Sequence, residues 1–541
     1  MSLRREAAGW QERRKIRLAV SAALVTAVAL AAPAATGTGV PAEPVLRVMT
    51  GMHTAPIHMI AADAAGRFLA TASDDKTLRV WDLSTGELLR TLRPPIGPGN
   101  EGKLYATAIS PDGKLIAAGG WTGFEWAGNL SIYLFSRATG RLVRRIPGLP
   151  NVIDNLAFSA DGKRLAASLV GNGGIWLFRV SDGGEMGRHT DCAGDSYGID
   201  FDRDGRLLTT CQDGYLRLYN SGFKLIAKVK AHGRRPVRVR FSPGGRVAVG
   251  SYGSVRVEVL SAVDLRHLYY PDVSGLGAGD LPTVAWSADG RLLYAAGRFP
   301  IQGLSSILSW AKAGRGIRTE LPAAANTILD LRALPRGRLA FGASDPSWGV
   351  LGATGVRELL DGPTQADPRA IGAAFRIDSN GAAVQFSFQP FGAAPATFRL
   401  HERALDAGPL DAPRTSSPRV KAPGLEIKDW QWATTPTLNG APLQLQPGEE
   451  SSSLAISPDG RFFLLGTQWW LRCLGRTGGE RWKTAAPASV LAVNVSGDAR
   501  TAVAAYLDGT LRWYRAADGK ELLALFPHAD RKRWVAWTPS G

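Results

Sequence analysis

Residues 63–92 read DAAGRFLATASDDKTLRVWDLSTGELLRTL. A turn at Ala65-Gly66 is followed by an alternating strand from Phe68 to Ala72 and by an Asp-centred turn at Asp74-Asp75. A second strand ends in Trp81-Asp82, and a Ser-Thr-Gly turn leads into a third. The same pattern returns roughly every 40–50 residues to the end of the chain, the spacing of a repeat with three or four short strands per unit.

The strongest marker is the turn before the second strand. It reads SPDGK at 110–114, SADGK at 159–163, DRDGR at 202–206, SPGGR at 242–246, SADGR at 287–291, SPDGR at 457–461 and SGDAR at 496–500. Proline presets φ, Asp caps its own backbone and Gly takes positive φ, so these are turns with a mechanism. Weaker copies stand at 335–341 (PRGRLAF) and 378–384 (DSNGAAV), and a degenerate unit lies around Trp430-Gln431-Trp432. A second marker closes the third strand. Asp75, Asp213 and Asp508 stand six residues before Trp81, Tyr219 and Tyr514, and Asn129 and Asn172 stand six before Phe135 and Phe178. The pattern predicts an all-β chain of about eleven four-stranded units arranged as a β-propeller. The 63 Gly and 33 Pro fit that turn density.

These residues resemble the WD40 family over roughly residues 44–527. The resemblance implies a structural tetrad in the first unit of His53, Thr71, Asp75 and Trp81, hydrogen-bonded in a chain through the blade. It places His232 in the His position of the fifth unit. The C-terminal third, with DWQWATTPTLNGAPL at 429–443 and the stretch after it, looks like exported bacterial WD40 proteins often fused to a caspase-like or other C-terminal module.

Eleven units exceed one usual ring, so two rings, or one ring plus a partial one, are expected. The expected division is 1–42 as a targeting segment and linker, 43–363 as a first WD40-like propeller and 364–541 as a second, degenerate or partial one. Val45-Leu46-Arg47-Val48 is expected to complete the last blade of the first ring.

The N-terminus carries Arg4, Arg5, Arg13, Arg14, Lys15 and Arg17 before an apolar run from Leu18 to Ala32, with small-residue sites at Ala32-Pro33-Ala34 and Val40-Pro41-Ala42. This matches a secretory signal. The run spans only about 22 Å against a hydrocarbon core of roughly 30 Å, so a cleaved signal is favoured over a signal anchor. The expected location is periplasmic or secreted, with inner-membrane anchoring by residues 18–32 as the alternative.

The formal net charge is +17, which favours anionic partners such as headgroups, cell-wall polymers or acidic proteins. The densest basic stretch is KLIAKVKAHGRRPVRVR at 224–240, read first as solvated strand edges. No base-stacking motif accompanies it, so nucleic acid is disfavoured. Of three cysteines, Cys192 and Cys211 share one face of a blade and could pair or remain free thiols, while Cys473 belongs in a buried strand.

No catalytic motif is present. No His stands at ligand spacing with a Cys or another His, and no G-x-S-x-G elbow occurs. Neither a metal nor a cofactor is expected. Gly171-Asn172-Gly173-Gly174 reads as a hairpin turn. The insertion from Trp121 to Trp126 is the one apolar loop tip. The expected function is a non-catalytic scaffold that holds protein partners, with Trp121, Phe124, Trp126, Arg234 and Arg235 as candidate contacts. The alternatives are a regulatory part of a larger enzyme, or a binder of cell wall or another anionic polymer.

Overall fold

The computed structural model describes residues 48–540, apart from 234, 302–303 and 411–414. Their strands form eleven antiparallel sheets. Seven sheets have four strands, three have five and one has three. The chain is all-β and its sheets are those of a WD40 β-propeller.

Local chemistry explains why the strands break where they do. At Ser110 the hydroxyl donates to Asp112 Oδ1 at 2.6 Å and accepts the Leu115 N–H at 2.9 Å, while Asp112 Oδ1 also accepts the Lys114 N–H at 3.0 Å. Gly113 then takes φ 74°. Ser159, Ser287, Ser457 and Ser496 make the same paired bonds with Asp161, Asp289, Asp459 and Asp498. Each motif satisfies the backbone of a reversing chain with its own side chains.

The first three strands of a sheet are largely buried and the fourth is not. Phe68–Ser73 and Leu78–Asp82 bury nearly every residue, whereas Leu225–Lys230 alternates half-buried and exposed positions. The fourth strand is an edge, and its exposed lysines discourage pairing with another chain. The aromatic that closes the third strand is buried: Trp81, Tyr219 and Tyr514 are each at most 1% exposed, and Phe135 and Phe178 are also buried.

The first strands of the first seven sheets are Ile57–Ala62, Leu104–Ile109, Ile153–Phe158, Ser196–Phe201, Pro236–Phe241, Thr283–Trp286 and Ile328–Ala333. Each packs on the next, and Ile328–Ala333 packs back on Ile57–Ala62. Polar bonds reinforce that last junction: Ile60 N donates to Asp330 Oδ2 at 3.1 Å and Arg332 Nε donates to Ile60 O at 2.8 Å. Gly342 sits so close to Ile60 that a Cβ there would lie 2.8 Å from its methyl.

All four strands of the seventh sheet come from Ile328–Asp361. Val48 lies outside any strand, and Val45, Leu46 and Arg47 fall outside the described residues. Val48 and Met49 instead line a cleft with Phe526.

The ninth, tenth and eleventh sheets pack in chain order, and the eleventh also packs on the eighth. Ser451–Ile456 packs on Val490–Val495, and so does Arg376–Asp378. Leu425, Ile427 and Leu438 pack with Leu454 and Phe463. The sheet formed by residues 376–416 therefore stands beside the one formed last. The Trp430–Trp432 stretch lies between strands of the three-stranded sheet rather than in one.

Candidate functional site

The first sheet carries one buried chain of hydrogen bonds. Trp81 Nε1 donates to Thr71 Oγ1 at 2.9 Å, His53 Nε2 lies 2.7 Å from that hydroxyl, and His53 Nδ1 lies 2.8 Å from Asp75 Oδ2. One proton arrangement satisfies all four: the Thr71 hydroxyl donates to Nε2, and Nδ1–H donates to the carboxylate. Asp75 also accepts from Thr77 Oγ1 at 2.6 Å. Burial opposes the charge on Asp75, yet His53 beside it holds the carboxyl well below the usual carboxylate range.

Other sheets use different chemistry at the corresponding place. The residue two positions before the end marker of the third strand is Arg79 in the first sheet, Arg217 in the fourth, Glu258 in the fifth, Arg472 in the tenth and Arg512 in the eleventh. Arg217 is 1% exposed and donates to Asp191 Oδ2 at 2.8 Å and Asp213 Oδ2 at 2.6 Å. Arg472 donates twice to the fully buried Glu449, at 2.9 and 2.6 Å, and pairs with Glu480. Arg512 pairs with Glu521 at 2.9 Å beneath a buried Tyr506–Tyr514 hydroxyl contact of 2.6 Å. A tetrad lost in sequence is thus replaced by buried Arg–carboxylate pairs, not by apolar packing alone. The signal was legible as an Arg at a fixed offset from the closing residue.

His232 does not build a tetrad. Its sheet has Ser254 where the first has Asp75, and the imidazole instead faces Glu258 on the third strand at 2.5 Å. His267, on the fourth strand, brings its Nδ1 to 3.1 Å from the same oxygen. Spacing in sequence hid this cluster because three separate segments supply it.

The basic stretch at 224–240 divides in two. Lys228 and Lys230 are exposed on an edge strand, and Lys224 is exposed just before it. Arg238 and Arg240 are 8% exposed and turn inward, Arg238 towards Asp154 at 3.7 Å and Arg240 towards Asp330 at 3.6 Å. The reading of the whole stretch as solvated edges is corrected accordingly. Asp200 lies beside this group and accepts the Phe241 N–H at 2.7 Å. Burial raises its pKa to about 6 despite Arg240 nearby.

The Trp121–Trp126 insertion folds onto its own sheet. Trp121 N donates to Lys103 O at 2.9 Å, Thr122 Oγ1 donates to Ser131 O and Gly123 N to Glu101 Oε1, both at 2.5 Å. Trp121 packs against the core, and Trp126 is half-buried beside Gly97. Phe124 projects, 46% exposed, at the start of the single turn Phe124–Ala127. Arg235 is half-buried with φ 51°, and Arg234 lies outside the described residues. Cys192 and Cys211 form a disulfide, while Cys473 is a buried free thiol that burial pushes up to about 12.

The family model described as WD domain, G-beta repeat matches residues 45–82 and 187–220. The chain is 27% identical over 208 residues to the Periodic tryptophan protein 2 homolog of Dictyostelium discoideum, covering 34% of this chain and 21% of that protein. It is 32% identical over 132 residues to the Guanine nucleotide-binding protein subunit beta of Arabidopsis thaliana, covering 23% and 33%. It is 30% identical over 115 residues to the Eukaryotic translation initiation factor 3 subunit I of Scheffersomyces stipitis, covering 21% and 29%. The chain thus spans a third or less of these relatives. They are eukaryotic proteins, one of them a translation initiation factor subunit, and this overturns the expectation of a periplasmic, secreted or inner-membrane-anchored protein. Residues 1–42, on which that expectation rested, lie outside the described residues. No helix among the described residues is long and apolar enough to cross a membrane.

Proposed function

We propose that this WD40-repeat chain is a non-catalytic scaffold that presents loops to a protein partner. In this reading residues 43–363 are one propeller and 364–541 a second, incomplete one. The packing of the seventh sheet on the first supports that division. Rigid sheets hold connecting loops in fixed positions, which is where binding residues concentrate.

The observation that carries the reading is Phe124. It is a large apolar side chain held out at 46% exposure by a loop whose neighbours are pinned to their own sheet. An exposed aromatic on an anchored loop loses little entropy when a partner covers it. Arg235 is the polar contact assigned with it, and Trp121 and Trp126 support the loop rather than touch the partner.

A photo-crosslinking amino acid at position 124 of the full chain tests this. A discrete protein adduct is expected from position 124 and none from Ile317, which is 86% exposed in the connection to the strand Arg318–Ala324. Equal labelling at both positions, or none at 124, overturns the assignment.

A further inference from the structure

Glu258 is a buried acid in a place where four other sheets put an arginine. Its side chain is 4% exposed, and among the described residues its ion-pair partners are His232 and His267. Removing a carboxylate from water is costly unless a cation compensates it. Arg217, Arg472 and Arg512 are compensated by fixed acids; here the acid is compensated by two imidazoles, both of which are also good metal ligands.

The geometry is that of three converging ligand atoms. Glu258 Oε1 lies 2.5 Å from His232 Nδ1 and 3.1 Å from His267 Nδ1. The three residues each place a donor atom within 4.8 Å of the other two. Donors around tetrahedral zinc, each at about 2.0–2.2 Å, stand about 3.3 Å apart, so small rotations of the imidazoles admit an ion. The carboxylate is itself held in place, because its other oxygen, Oε2, accepts the His232 backbone N–H at 3.0 Å. Tyr270 packs on His267 with ring centroids 4.4 Å apart and limits that ring's freedom. The imidazoles face outward, with side-chain exposures of 55% for His232 and 29% for His267. An ion therefore has a path in, and water has room for a fourth position.

We propose that His232, Glu258 and His267 form a site for a borderline divalent cation, zinc above all. Two nitrogens and one carboxylate oxygen select zinc-like ions over magnesium or calcium, which require mostly oxygen donors. The metal clasps the segment before the first strand of the fifth sheet to that sheet's third and fourth strands. Binding displaces the protons shared between the imidazoles and the carboxylate.

The test uses the full, tag-free chain titrated with Co²⁺ and then Zn²⁺. One equivalent of Co²⁺ should bind with the visible d–d absorption of a low-coordinate site, and Zn²⁺ should abolish that absorption. His267→Ala sits on a partly exposed outer strand and should fold, as checked by circular dichroism. It should weaken binding by about tenfold or more. Glu258→Gln, which keeps the size of the side chain and removes the charge, should weaken it comparably. Absence of cobalt uptake overturns the proposal, as does uptake unchanged by both variants. Loss of stability in the variants without any metal uptake by the parent chain also overturns it, leaving the cluster a hydrogen-bonded brace.

Discussion

Trp81 on the first sheet and Trp348 on the seventh lie with ring centroids 4.9 Å apart, both 1% exposed. Ile57, Ile60, Leu334 and Val350 complete the same cluster. Trp81 thus serves two structures at once: its indole N–H ends the His53–Thr71 chain, and its ring fills the junction between sheets whose paired residues Ile60 and Asp330 are 270 positions apart in sequence. The two roles separate by substitution. Trp81→Phe keeps most of the ring but removes the N–H that donates to the Thr71 hydroxyl, which still bonds His53, and should cost about 1–2 kcal/mol. Trp81→Ala also opens a cavity at the junction, and should cost about 3–5 kcal/mol. Denaturant midpoints of the two variants should differ clearly. Equal losses would mean that the ring contributes nothing to the junction.

Arg79 and Arg217 occupy equivalent positions and should respond in opposite ways. Arg217 pairs with Asp213 and with the half-exposed Asp191, which keeps Lys228, so Arg217→Met should cost about 2–3 kcal/mol. Arg79 is buried with its Nε and Nη1 lacking a hydrogen-bond partner among the described residues. Asp75 nearby already has His53 and Thr77. Arg79→Met keeps the volume and removes a poorly satisfied charge, so stability should change by no more than about 1 kcal/mol or rise. Chemical denaturation checks both; a large loss in Arg79→Met would show that the guanidinium is needed to hold Asp75.

These networks mark the limit of what the chain discloses in its order of residues. The Ser-x-Asp-Gly turns are local, all their bonds lie within five residues, and they locate the sheets directly. The His53–Asp75 pair follows from one repeat unit read against a family pattern. Arg217 with Asp191 spans 26 residues and replaces a tetrad with chemistry the pattern does not contain. Glu258 with His232 and His267 joins three segments, so no spacing rule finds it. The inward turn of Arg238 and Arg240 was hidden for another reason. Alternating Arg and Val looks like a half-solvated strand, and only acids from other sheets, Asp154 and Asp330, allow both arginines to be buried.

The disulfide is testable by counting. Cys192 and Cys211 are 19 residues apart, and closing such a loop stabilises a fold by about 3 kcal/mol in the chain-entropy view. Native protein should show no reactive thiol, because Cys473 is buried with its thiol held protonated. Denatured protein should show one thiol without reductant and three with it. Reduction, or Cys192→Ser with Cys211→Ser, should lower the stability of the fourth sheet's neighbourhood, measured by hydrogen exchange. Three thiols in unreduced, denatured protein would refute the pairing.

Asp200 gives the fold a pH dependence of definite sign. Burial raises its pKa to about 6 from the ordinary 3.8. Between those values the folded chain holds a proton that the unfolded chain has released. Stability from this group is therefore full below about pH 4, falls as pH rises towards about 6, and stays reduced above it. The loss at neutral pH is bounded at ~3 kcal/mol, from roughly two pKa units at about 1.4 kcal/mol each. Asp200→Asn cannot ionise, and its amide oxygen can still accept the Phe241 N–H. The variant should match the parent chain near pH 4 and become progressively more stable than it up to about pH 6.5, with a constant difference beyond. Melting midpoints of both proteins measured from about pH 4 to 8 in one buffer series would reveal this. A difference that is flat across the range, or that shrinks as pH rises, would mean that Asp200 is ionised in the folded chain and that Arg240 compensates it fully.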